Sequence, residues 1–164
     1  MKRNGFSLIE LLVVISIIAS IVALAIPNYL GARQRASDTK KKSEMVQLKS
    51  ALRLYYNDFN TYPGGTTGVV MNGCGTNGTN SCATTCTPGF ASGAACDNVY
   101  MKQLPTGFLS TVFYYQVSNG DDFCLSVLLD NKSDPDIVTS QNRCRSACSA
   151  KYPAPNTKYW VCAD

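Results

Sequence analysis

Histidine is absent from the 164 residues, which removes Ser-His-Asp and Cys-His catalysis, His-ligated zinc and haem, and the usual acid–base group at neutral pH. Cysteine is absent before position 74; all eight, Cys74, Cys82, Cys86, Cys96, Cys124, Cys144, Cys148 and Cys162, lie in the C-terminal two-thirds. No two of them are spaced C-x-x-C, so zinc-ribbon and thioredoxin-like patterns are missing. Cysteine used so densely in a short chain points to a disulfide framework outside the cytoplasm. Charge is absent from residues 6–26 except for Glu10. At 17.7 kDa the chain has room for one core and an appendage.

The uncharged run is 21 residues long, about 30 Å as a helix and enough to cross a bilayer. Lys2 and Arg3 precede it and the cysteines follow it, so the positive-inside rule leaves the amino end in the cytoplasm and sends the rest across. A cleaved secretory signal is the competing reading, because Ala23-Leu24-Ala25 forms an A-x-A pattern. Against it stand the length of the run and a carboxylate within it, which costs about 2.5 to 3.5 kcal/mol at mid-membrane.

The segment Gly5-Phe6-Ser7-Leu8-Ile9-Glu10-Leu11-Leu12-Val13-Val14 resembles the leader junction of type IV pilins and their relatives, the type II secretion pseudopilins and competence pilins. Pro27 and Tyr29 stand where that family usually has a helix-loosening proline and a nearby tyrosine. The resemblance covers residues 2–29, with a looser likeness over 48–63. It implies that a prepilin peptidase cuts between Gly5 and Phe6 and methylates the new amine on Phe6. It also implies residence in the inner membrane as a single span, then polymerisation with copies of itself and related pilins through an inner-membrane assembly platform, into a filament on the cell surface.

The residues supply a physical reason for such assembly. After cleavage, the Phe6 ammonium and the Glu10 carboxylate would both lie in an apolar helix, where unpaired charges are costly. Pairing Glu10 with the amine of an adjacent subunit would set axial register, while the leucine and isoleucine faces supply cohesion. A plain anchor, in which Glu10 sits near the membrane interface, is the simpler alternative.

Pro27 lacks a backbone N–H, so the helix is expected to kink or melt over residues 23–27 and then resume. Leu48, Leu52, Tyr55 and Phe59, with Ala51 and Tyr56 alongside, form a stripe that would pack on a folded head. A helix over 6–58 would extend on the order of 80 Å, more than a core of this size can cover. Residues 33–53 carry seven Lys and Arg against Asp38 and Glu44, whereas 54–164 carry six Lys and Arg against eight Asp. A solvated helix face just outside the membrane is the simpler reading of this basic stem, with anionic lipid, DNA or a neighbouring acidic head as alternatives. Stem and head have opposite signs, which among these favours a stacked neighbour. Losing Lys2 and Arg3 lowers the net charge from +4 by two, too weak a balance to argue nucleic acid.

Asn60 to Gly65 is rich in breakers, and residues 64–96 read as a long irregular loop ordered by Cys74, Cys82, Cys86 and Cys96. A four-cysteine metal site is the alternative. Residues 111–117 and 123–129 read as a β-hairpin, with a last strand over 158–162 and a short helix over 140–152 placing Cys144 and Cys148 on one face. The fold class is α+β: a long N-terminal helix, membrane-spanning over 6–26 and amphipathic over 27–59, packed on a small antiparallel sheet within a disulfide-stapled head over 60–164. Eight cysteines allow 105 connectivities; Cys124, on the central strand, is expected to staple the sheet to the C-terminal segment.

Asp130, Asn131, Asp134 and Asp136 cluster after the hairpin. Oxygen ligands on a tight turn suit calcium, as some pseudopilins carry, but the EF-hand pattern is missing and an ordinary acidic turn is the preferred reading. Asn77-Gly78-Thr79 and Asn131-Lys132-Ser133 match the glycosylation sequon. Two other classes compete with a filament subunit. An anchored surface receptor or adhesin needs neither Gly5 nor Glu10, and a thiol-redox enzyme needs the missing C-x-x-C.

Overall fold

The computed structural model describes residues 7–64, 71–75, 80–86, 89–93, 95–105, 111–117, 120–153 and 156–163, without the side chains of Pro27, Ala83 and Thr84. It divides into two compact units, 1–37 and 38–164. The expectations for Gly5, Phe6 and the sequon at Asn77 lie outside the described residues.

Helix α1, Leu8–Phe59, runs through both units. The melting expected over 23–27 is not found, since those residues are helical. Proline removes one ladder donor, and next to it the Asn28 side-chain amide donates to the Leu24 carbonyl at 3.4 Å.

In the second unit, β5 (Val112–Gln116), β6 (Phe123–Leu128) and β7 (Lys158–Val161) form an antiparallel sheet in the order β5-β6-β7. β5 and β6 are the expected hairpin, in which Tyr114 faces Leu125. Alternation along a strand sends successive side chains to opposite faces, and β6 uses both. Phe123, Leu125 and Val127 join Met45, Leu48, Ala51, Leu52 and Tyr55 of α1 in the main core. Cys124 turns the other way, into a smaller core with Cys144, Ala147, Cys148, Trp160 and Cys162. The second layer is built from α3 (Pro135–Arg143) and α4 (Arg145–Cys148). Asp134 caps α3 by accepting the Asp136 N–H at 2.9 Å, with Pro135 at the first helical position.

The α1 stripe begins earlier than its leucines suggest, at Met45, and ends earlier too. Phe59 is 42% exposed and contacts Tyr55 with ring centroids 4.5 Å apart. The stretch read as an irregular loop contains short regular elements. β1 (Asn72–Cys74) pairs with β2 (Asn80–Ser81), α2 (Cys82–Thr85) follows, and β3 (Phe90–Ser92) pairs with β4 (Asn98–Met101). Phe90 and Tyr100 pack on Tyr55 at 5.4 and 5.5 Å, and the Tyr100 hydroxyl donates to Asp58 at 2.7 Å. The region is thereby seated on the last turns of α1.

Four disulfides join Cys74 to Cys82, Cys86 to Cys96, Cys124 to Cys148 and Cys144 to Cys162. The first two close loops of 8 and 10 residues. The others fasten the α3–α4 layer to β6 and to the residue after β7. In the loop-entropy view each stabilises by about 2 to 4 kcal/mol.

Candidate functional site

Two groups of residues do something other than fill the core: the first turns of α1, and a charged clamp in the second unit. Ser7 precedes the first helical residue and Glu10 stands three positions later. The Glu10 carboxylate accepts the Ser7 backbone N–H at 3.1 Å through Oε2. This is half of a capping box, whose signal S-x-x-E was legible in the sequence. Glu10 is therefore bound to the helix start through one oxygen, and the second oxygen retains capacity for a further donor.

Around that carboxylate the helix is apolar on all sides. The large residues from Leu8 to Ile26 are exposed, from 44% at Val22 to 80% at Leu8. The hydroxyls within this stretch are internally satisfied: Ser16 donates to the Val13 carbonyl at 2.7 Å and Ser20 to that of Ser16 at 2.8 Å. Such bonding suits a segment surrounded by lipid or by other helices. Among the described residues, α1 is the one helix long and apolar enough to cross a membrane. Position 27 lies within it; the Pro27 side chain is outside the described residues.

The clamp starts from Asp38, 2% exposed. Its two carboxylate oxygens accept the N–H groups of Asp130 and Asn131 at 2.6 and 2.9 Å. Lys41 donates to Asp130 at 2.6 Å and to the Leu128 carbonyl at 3.2 Å. Lys42 reaches Asp134 and Asp136, both at 2.7 Å. The acidic cluster after β6 thus receives two ammonium groups of α1, and Asp130, Asp134 and Asp136 are its acceptors. Desolvation pulls the Lys42 pKa down, but the hydrogen bonds and charges of Asp134 and Asp136 outweigh it and leave it raised. Asp134 is held below its ordinary value, first by the Lys42 hydrogen bond, with the Asp136 N–H and the Lys42 charge adding to it against desolvation. Among the described residues no group of three or more Cys, Asp or Glu is arranged to hold a metal.

The clamp was missed in the sequence because its members lie about ninety positions apart. It also changes the charge argument, since Lys41, Lys42 and Arg53 are engaged within their own unit, the last with the Ala163 carbonyl at 2.6 Å.

The architecture is therefore a long helix, apolar on all sides from Leu8 to Ile26 with a carboxylate in its first turn, followed by an α+β head. A family model for the prokaryotic N-terminal methylation motif matches residues 1–26. The chain is 40% identical over 62 residues to the type II secretion system core protein G of Pectobacterium carotovorum, covering 38% of this chain and 40% of that one. It is likewise 40% identical over 62 residues to the Escherichia coli protein of the same name, covering 43% of it. To the type IV wide pilus major component PilA4 of Thermus thermophilus it is 44% identical over 61 residues, 37% of this chain and 47% of that one. The matched segment spans less than half of each of these relatives. No solved structure matches the chain. The motif and these relatives support membership of the type IV pilin and type II secretion pseudopilin family.

Proposed function

We propose that the chain is a structural subunit of a type IV pilus-like filament. A prepilin peptidase cuts it between Gly5 and Phe6 and methylates Phe6. The apolar helix holds it in the cytoplasmic membrane, and an assembly platform there moves it into a polymer. The observation that carries this reading is the exposed apolar surface around Glu10. Apolar surface gains about 25 cal/mol per Å² on leaving water, so on extraction from lipid the helix needs other copies around it.

Glu10 sets the register of those copies. One oxygen is occupied by Ser7, and the other receives the methylated amine of a neighbouring Phe6, leaving neither charge unpaired in the filament interior. The role is assembly, not catalysis. Asp130, Asp134 and Asp136 serve in this proposal as acceptors for lysine, and no metal is assigned to them.

A pseudopilin of a type II secretion system is the second reading, favoured by the relatives named type II secretion system core protein G. The part of the head stapled by the Cys74–Cys82 and Cys86–Cys96 bridges favours display on a pilus. Shearing cells and following the chain by antibody separates the two. Recovery in long surface filaments supports a pilus subunit; retention in the envelope, with loss of exoprotein secretion on deletion, supports a pseudopilin. Membrane retention as monomers, with no filament or secretion phenotype, would refute both.

A further inference from the structure

We infer that the Cys86–Cys96 disulfide is a thiol-exchange site, at which a low-molecular-weight thiol forms a mixed disulfide with Cys96 without unfolding the head. The proposal concerns the second unit alone and does not depend on filament assembly.

Burial sets this bridge apart from the other three. Cys74, Cys82, Cys124, Cys144 and Cys148 are wholly buried and Cys162 nearly so. Cys86 is 8% exposed and Cys96 is partly open to solvent. Exchange requires a thiolate to reach a sulfur, and burial denies that approach elsewhere. Cys86 and Cys96 also line a cleft of about 310 Å³ together with Gly89, Val99, Met101 and Lys102. The cleft provides an entry route, and Lys102 is the one charged residue among the described residues that line it.

The two cysteines are held differently. Cys86 follows α2, and its carbonyl accepts the Gly89 N–H at 2.6 Å. Gly89 is pressed against the end of β4, where a Cβ would lie 2.7 Å from the Met101 carbonyl oxygen. Cys96 sits on the β3–β4 turn with φ of 59°, a left-handed conformation that a non-glycine residue rarely adopts. The bridge thus joins a pinned residue to a conformationally strained, more accessible one.

In the exchange step the incoming thiolate attacks Cys96 Sγ. A new sulfur–sulfur bond forms as the Cys86–Cys96 bond breaks; the electron pair leaves on Cys86 Sγ, which takes a proton from water. One thiol and one disulfide give one mixed disulfide and one thiol, so no further oxidant or reductant is needed. The hairpin keeps its β3–β4 ladder and its contacts with Tyr55 and Asp58, which allows the product to stay folded.

The test uses the full chain in detergent micelles, treated with 2-mercaptoethanol at mildly alkaline pH, quenched with acid, alkylated with N-ethylmaleimide and mapped by peptide mass. The expected result is mercaptoethanol on Cys96 and maleimide on Cys86, at least about tenfold faster than at the six buried cysteines. Adducts appearing first at any of those six, no adduct without denaturant, or mercaptoethanol on Cys86 in place of Cys96 would each overturn the assignment. With Lys102→Glu, exchange with mercaptoethanesulfonate should slow about twofold to fivefold relative to 2-mercaptoethanol. An unchanged ratio would remove Lys102 from the site.

Discussion

In the first turns of α1 the large apolar side chains from Leu8 to Ile26 face outward, whereas in the head the equally apolar Leu48, Leu52, Phe123 and Leu125 are closed off from water. The difference lies in what each region carries within its own chain. The head brings its own partners, a sheet, a second helical layer and four disulfides. The apolar helix brings internally bonded serines and a carboxylate that caps its own start, but among the described residues of its unit nothing buries its surface. One region is complete as a monomer; the other, in the function proposed above, would acquire its environment from lipid or from copies of itself. Substitutions should therefore divide cleanly between assembly and stability.

The largest effect is expected at Glu10. Glu10→Ala should lower incorporation into filaments by at least about tenfold, since breaking a buried charge pair costs roughly 3 to 5 kcal/mol, while the thermal unfolding of the head is unchanged. Wild-type incorporation would show that the carboxylate does not set register. A fall in head Tm would blur the division between the regions.

Next comes the staple between β6 and α4. The double variant Cys124→Ala/Cys148→Ala removes the bridge without leaving a free thiol, and should cost about 2 to 4 kcal/mol, seen as a drop in Tm of roughly 10 °C. A loss within scan error would mean that the Cys144–Cys162 bridge and packing around Trp160 hold the α3–α4 layer without it.

Asp38→Ala should destabilise the head by about 1 to 3 kcal/mol, because the N–H groups of Asp130 and Asn131 lose a buried acceptor. Urea unfolding measures it; an unchanged midpoint would show that water replaces the carboxylate. Lys42→Met should cost less, about 1 kcal/mol after allowance for solvent screening, and should flatten the acid limb of the stability profile.

The sign of that profile follows from the pKa directions. Asp134 is depressed in the folded state, so its contribution is fully present above the unfolded carboxylate value and is lost as pH falls through the lower folded one, below about pH 4. Lys42 is raised, so its contribution holds below the ordinary lysine value and fades as pH climbs past it, above about pH 10. A Lys42→Met head whose stability follows pH as the wild type does at both ends would show that the clamp is not electrostatic.

Legibility in the sequence tracks the distance over which residues act. The β5–β6 hairpin announces itself through β-branched and aromatic residues around a glycine-containing turn, and the Leu48–Leu52–Tyr55 face through helical spacing. The Ser7–Glu10 cap was equally legible in its S-x-x-E spacing. The Asp38 clamp was not, because a carboxylate on a charged helix reads as a solvated one until the fold delivers Asp130 and Asn131 to it. The 64–96 stretch was misread as loop throughout because composition rich in glycine and threonine resembles loop. Its strands of two or three residues are held by disulfides and by packing on Tyr55, which local propensity does not reveal. The cysteine pairing needed the two faces of β6 before Cys124 could be matched with Cys148.

The most direct test is the intact mass and amino-terminal sequence of the native chain from a sheared surface fraction. A subunit assembled through a processed helix gives a chain that begins at Phe6, heavier by the CH2 that one methylation adds and, with four disulfides, eight hydrogens lighter than the unmodified reduced sequence from Phe6. A chain that retains Met1, or one that begins at Ile26, would contradict it.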